Sequence, residues 1–279
     1  DFKTFLKSAS TVNKALDIPC LIAPACPEYP PPYTFVKFPP VTYTYEIQKI
    51  IPSEAYVYGM KVGNEYTYRD LLYITLLSSG ADAATTLAYY SSGSVDNHIQ
   101  KMNELSKKVG LNDTYYTNVI GLDTNNPYST ANEQLTLLKY ALENPTFKKI
   151  FETKEYIASS GDKVQSSTAK YAETLNLDTS RIIGSKTGYT GQAGLCLIGE
   201  FQSNNHNYYF VILNEPITNN YDHIRDALKL VNYYDTNYNG VDVTMFNANN
   251  YGEKGFVDSN NKYVEEAIVE VNYNLDINA

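Results

Sequence analysis

The order of hydrophobic patterns along the chain predicts an α+β fold. Helical periodicity fills the middle of the sequence, from residue 67 to residue 142, and strand-like runs flank it and meet late, after residue 194. Strands alternating one by one with helices would predict a parallel sheet instead, and that alternation is missing. A length of 279 residues suits one large domain with a small appendage, and 43% hydrophobic residues suffice for a sizeable core. The division expected is a body over 1–235 and a strand-rich extension over 236–279.

The elements follow in order. Residues 4–16 carry Phe5, Leu6, Val12 and Leu16 on a roughly helical period. Eight prolines between residues 19 and 40 then forbid regular helix and favour an extended excursion. Residues 42–51 read as one strand or two. The clearest helix starts at Thr67, where Thr67 and Asp70 form a capping-box-like pair ahead of Leu71, Leu72, Ile74 and Leu76. Ser78, Ser79 and Gly80 interrupt it, and a second helix restarts at Ala81 and runs to about residue 90. A third, over 95–109, aligns Ile99, Met102, Leu105 and Val109 on one face and stops at Gly110. A fourth spans 130–142. Past Pro145 the pattern is mixed. Residues 194–200 and 208–213 then read as adjacent strands, 221–234 as a last helix, and 241–246, 254–257 and 267–271 as short strands.

Composition excludes several functions. With 31 acidic against 22 basic side chains and a formal charge of -9, the chain lacks the clustered cations that neutralise nucleic-acid phosphates. Arg69, Arg181 and Arg225 are its only arginines. Cys20, Cys26 and Cys196 with the scattered His98, His206 and His223 make no metal pattern, so no metal or cofactor is expected. No phosphate loop or dinucleotide fingerprint occurs. No run of about 18 apolar residues occurs either, so no integral membrane segment is expected in this chain. The 27 tyrosines, against no tryptophan, read as a compositional bias.

The sharpest string is Lys186-Thr187-Gly188. An ammonium and a hydroxyl beside open backbone make a receptor for a carboxylate, and a glycine lets a ligand approach closely. Around it, in order, stand Gly59-Met60-Lys61-Val62-Gly63, Ser79-Gly80-Ala81-Asp82-Ala83-Ala84, Asn118-Val119-Ile120-Gly121-Leu122, Tyr128-Ser129-Thr130-Ala131 and Ala193-Gly194-Leu195-Cys196.

This succession, over about residues 59–233, resembles the D-alanyl-D-alanine carboxypeptidases, the low-molecular-mass penicillin-binding proteins. The resemblance implies a serine β-lactamase/transpeptidase-like fold: an antiparallel sheet backed by helices, with a helical subdomain. It also implies serine-type acyl transfer that removes the terminal D-alanine from peptidoglycan stem peptides ending in D-Ala-D-Ala, acylation by β-lactams, and a secreted or extracytoplasmic, cell-surface setting. There a Cys20–Cys26 disulfide is allowed.

Three family motifs meet in one cleft. Lys-Thr-Gly maps intact onto Lys186, Thr187 and Gly188, which the resemblance assigns to the substrate carboxylate and the oxyanion strand. Ser-x-Asn maps onto Ser79-Gly80-Ala81, with Ser79 kept and a methyl in place of the amide. Ser-x-x-Lys, which places a nucleophile and its base one helical turn apart, has no match before Ser79. The strings there are Thr4 with Lys7, Thr11 with Lys14, and Thr34 with Lys37. The first two lie in the helix-like stretch at roughly the right distance before Ser79, whereas Thr34 sits among prolines and fits worst; Thr11 and Lys14 are the candidate nucleophile and base, with Thr4 and Lys7 the open alternative. Ser160 with Lys163 and Ser167 with Lys170 fall just before the Lys-Thr-Gly string and read as chance matches. The alternative is a catalytically inactive relative that binds peptidoglycan peptides or a protein partner. A β-lactamase is a third option, for which no deacylating Glu stands in a recognisable motif.

Overall fold

Capping residues set the helix boundaries. The computed structural model describes residues 39–203, 206–217 and 221–237. It divides into two compact units, 1–170 and 171–279. The helix-like stretch over 4–16, the proline-rich excursion, Thr4, Thr11, Lys14, Thr34, Cys20, Cys26 and the strands expected after residue 240 lie outside the described residues.

The first unit opens with β1 (Val41–Thr42), α1 (Tyr45–Lys49) and β2 (Glu65–Tyr66), with β1 and β2 paired antiparallel. A strand expected over 42–51 is therefore mostly a helical turn. The β-branched and aromatic residues there suggest a strand, but the Thr44 hydroxyl caps the Ile47 N–H, Glu46 sits in the first turn and Lys49 in the last. Only Ile47 of the five is buried, which suits one turn and not a two-faced strand.

Four helices follow, in a row: α2 (Tyr68–Ser78), α3 (Ala81–Ser92), α4 (Val95–Val109) and α5 (Ala131–Leu142). Thr67, Ser94 and Thr130 cap α2, α4 and α5 through their hydroxyls, and Gly110 closes α4 at a φ of 88°. Such a cap contributes about 1 kcal/mol. The mixed region past residue 144 resolves into α6 (Pro145–Phe151), an antiparallel hairpin of β3 (Glu155–Ile157) and β4 (Lys163–Gln165), and α7 (Ser167–Leu175). Asn144 and Pro145 mark the start of α6, one as cap and one as first residue. Helix α3 is rich in Ala, Ser and Thr and is buried nearly all round, so small side chains let its neighbours close in.

The second unit is a three-stranded antiparallel sheet in the order β5 (Ile182–Thr190), β6 (Gly194–Ser203) and β7 (His206–Glu215), followed by α8 (Asp222–Asn237). Ile182, Leu197, Phe201, Phe210 and Ile212 pack with Ile224, Ala227, Val231 and Tyr234 of α8. Each fully buried side chain of this size stabilises by about 1.5–3 kcal/mol. The Phe210 ring lies over Gly199, where any Cβ would overlap it.

Candidate active site

Helix α2 ends in a sharp corner that carries Ser79. Its φ of 62° is left-handed, a conformation that costs a non-glycine residue about 1 kcal/mol or more. Three donors converge on the Ile74 carbonyl to hold it: the Ser78 hydroxyl at 2.8 Å, the Ser79 N–H and the Gly80 N–H at 3.3 Å. Gly80 has no room for a side chain. A Cβ there would stand 2.8 Å from Ile74 Cγ2, 2.9 Å from Asp82 Oδ1 and 3.0 Å from Tyr58 Cβ. Next, the buried Ala81 donates its N–H to the Tyr56 carbonyl at 2.9 Å as α3 begins.

Asp82 completes the corner. It is 1% exposed, and its carboxylate accepts from the N–H groups of Tyr58 (3.0 Å), Gly59 (2.8 Å), Met60 (2.9 Å) and its own neighbour Ala83 (3.0 Å). A buried carboxylate is tolerated when hydrogen bonds replace its hydration, and the helix N-terminus adds favourable dipole.

In the second unit Lys186, Thr187 and Gly188 lie along β5, opposite Ile198, Leu197 and Cys196 of β6. Lys186 donates from Nζ to the Thr187 carbonyl at 2.6 Å. The residue as a whole is half-buried, but desolvation pushes its amine down to about 8. At neutral pH it still carries its charge. Gly188 is exposed, and a Cβ there would meet only Cys196 Cβ, at 3.6 Å, an ordinary contact. Among the described residues, neither backbone conformation nor packing demands glycine there.

Ser79 thus belongs to the first unit and Lys186, Thr187 and Gly188 to the second. Thr11 and Lys14 lie outside the described residues. Of the two chance matches, Ser160 and Lys163 sit on the β3–β4 turn and strand, where Lys163 pairs with Glu155. Ser167 and Lys170 do share a helical turn of α7, and the Ser167 hydroxyl donates to the Leu77 carbonyl at 3.2 Å. Two organising residues went unread in the sequence. Asp82 stands in the Ser79–Ala84 string, but three of its four partners are 22–24 residues upstream. Asn118 folds its own loop, with Oδ1 accepting from Ile120 (3.1 Å), Gly121 (2.7 Å) and Leu122 (3.1 Å).

A family model described as D-alanyl-D-alanine carboxypeptidase matches residues 41–217. The chain belongs to this family. Among curated members it is 36% identical over 157 residues to the D-alanyl-D-alanine carboxypeptidase of Streptomyces sp. (strain K15), covering 53% of each chain. It is 31% identical over 153 residues to the carboxypeptidase DacF of Bacillus subtilis (strain 168), covering 52% of this chain and 37% of that one. The chain therefore spans about half, or less, of the length of these relatives. Among solved structures, a D-alanyl-D-alanine carboxypeptidase from Mycobacterium tuberculosis H37Rv superposes with a TM-score of 0.51 at 26% identity, over 71% of this chain and 67% of that one. The Streptomyces K15 DD-transpeptidase superposes with a TM-score of 0.61 at 24% identity, over 82% and 85%. The fold is the serine β-lactamase-like, α+β fold of this carboxypeptidase family, as the motif order implied.

Proposed function

We propose that this carboxypeptidase-family chain performs serine-type acyl transfer on peptidoglycan stem peptides ending in D-Ala-D-Ala, releasing the last D-alanine, in an extracytoplasmic setting where that substrate resides. Among the described residues no helix is long and apolar enough to cross a membrane. The observation that carries the reading is the intact Lys186-Thr187-Gly188 string on β5, whose glycine leaves strand surface open that packing among the described residues does not require.

In this reading the Lys186 ammonium and the Thr187 hydroxyl hold the terminal carboxylate, and a β5 backbone N–H polarises the carbonyl under attack. The Thr11 hydroxyl attacks while Lys14 takes its proton. The peptide C–N bond breaks as the Ser79 hydroxyl gives its proton to the leaving amine and is reprotonated by the Lys14 ammonium, and water then hydrolyses the ester, which restores the Thr11 hydroxyl. A β-lactam enters the same path as a cyclic substrate analogue whose ring opens on the nucleophile.

A second reading, a binding protein without turnover, has Ala81 in its favour. The buried methyl can donate and accept nothing where the family motif carries an amide. The test is release of free D-alanine from a synthetic pentapeptide by the pure full chain. Release above the uncatalysed rate supports the carboxypeptidase, and saturable binding with no release selects the silent relative.

A further inference from the structure

The Asp82 carboxylate is an unusual expenditure of a buried charge. It is 1% exposed and receives four backbone N–H groups, three of them from the consecutive residues Tyr58, Gly59 and Met60. Three successive amides can converge on one carboxylate because Gly59 takes a φ of 104°, a conformation that side chains disfavour. The same segment touches the Ser79 corner twice more: Tyr56 accepts the Ala81 N–H at 2.9 Å, and Tyr58 Cβ closes the space above Gly80. Residues 56–60 are therefore laced onto the corner from one side, while the Ile74 carbonyl grips it from the other.

We infer that Asp82 is a positioning residue of the acyl-transfer site, holding residues 58–60 against the Gly80–Ala81 backbone so that Ser79 keeps its left-handed conformation and its hydroxyl a fixed direction. This inference rests on the acyl-transfer reading above and adds to it a residue that touches no substrate. Geometry specifies the side chain. Two carboxylate oxygens each take two N–H groups, Oδ1 from Tyr58 and Ala83 and Oδ2 from Gly59 and Met60. An asparagine offers one oxygen, and its NH2 faces two donors it cannot accept from. Released from the clasp, Ser79 relaxes toward right-handed backbone and its hydroxyl swings away from the place where charge and protons move, a loss of orientation and not of binding.

The experiment compares acylation of the full chain by a fluorescent penicillin across wild type, Asp82→Asn, Asp82→Glu, and Ile150→Val as a core control on α6, each at a temperature where it is folded. The expected result is a fall of about tenfold or more in the rate at saturating penicillin for Asp82→Asn, with the half-saturating concentration little changed. Partial recovery is expected in Asp82→Glu and no comparable fall in Ile150→Val. If Asp82→Asn does not fold, Gly59→Ala replaces it, disturbing the convergence of amides without touching the carboxylate. A folded Asp82→Asn or Gly59→Ala variant acylated within twofold of wild type overturns the inference, as does an equal loss in the control. A wild type that is never acylated overturns the acyl-transfer reading instead. The clasp is then judged by amide exchange, where Asp82→Asn must speed Gly80 and Ala81 exchange beyond the control or the inference falls too.

Discussion

Among the described residues, a methyl group added at Gly80 would meet three atoms within 3.0 Å, whereas one added at Gly188 would meet a single atom at 3.6 Å. Both glycines sit in motif strings of the same family, yet they are glycines for different reasons. At the Ser79 corner the chain's own packing leaves no volume, and every N–H from Ser79 to Ala81 is spent on a carbonyl of the first unit. At Gly188 on β5 the described residues leave room that they do not use. The first region buys a fixed backbone at the cost of a strained serine, and the second keeps a half-buried ammonium beside an open strand surface. Glycine forced by neighbours reports on folding. Glycine inside a strand that its neighbours do not force often marks a close approach by a ligand or another backbone.

The sharpest way to break this contrast is to make the same substitution in both places. Gly80→Ala is expected to lose about 2–3 kcal/mol in urea unfolding, because Ile74, Tyr58 and Asp82 are all buried or clasped and cannot step aside. Gly188→Ala is expected to stay within about 0.5 kcal/mol of wild type in the same assay while slowing acylation by penicillin. Equal destabilisation at the two sites would erase the distinction.

Next in size is Lys186→Ala. Removing a charge-assisted contact to the substrate carboxylate is expected to weaken acylation about 10- to 100-fold, measured as the second-order rate constant. Stability should not fall in parallel, since burial of this amine disfavours its charged form. The pH dependence follows with a definite sign. Burial holds the folded-state value at about 8, below its ordinary range, so the unfolded chain binds the proton more tightly from there upward. Unfolding free energy therefore rises with pH above about 8, up to the unperturbed lysine value near ~10.4, while affinity for a carboxylate ligand falls over the same interval. Titrating affinity for a D-Ala-D-Ala peptide against its C-terminal amide from pH 7 upward separates the charge effect, and Lys186→Arg should move the fall to higher pH.

The smallest expected effect concerns the Asn118 loop. Asn118→Ala removes the acceptor of three N–H groups and should cost about 1–2 kcal/mol, read as faster amide exchange confined to residues 120–122.

Much of this was legible in the sequence wherever structure is written locally. Helix α4 was read to its last residue because Gly110 ends an amphipathic run, and α2 began where Thr67 and Asp70 pair, with the Thr67 hydroxyl donating to Asp70 Oδ2 at 2.7 Å. The corner at Ser79 was visible as an interruption and as a motif. Its clasp was not, because hydrogen bonds spanning 22–24 residues leave no local pattern in a sequence. Helix α1 was missed because a single buried Ile47 gives no period to detect. Residues 145–181 were illegible for a related reason: two three-residue strands and helices of seven and nine residues are too short to show a clear repeat. The strand carrying Lys186 was recognised from its string. Its register, which sets Gly188 opposite Cys196, required the paired strand.

The central claim is acyl transfer at a site served by Lys186, with the nucleophile proposed at Thr11. Incubating the folded full chain with penicillin, then mapping the adduct by peptide mass spectrometry, tests it most directly. The account predicts one covalent penicilloyl group on a peptide containing Thr11, formed far more slowly in Lys186→Ala. No adduct at millimolar penicillin would contradict acyl transfer, and an adduct confined to Ser167 would contradict the assignment of the nucleophile.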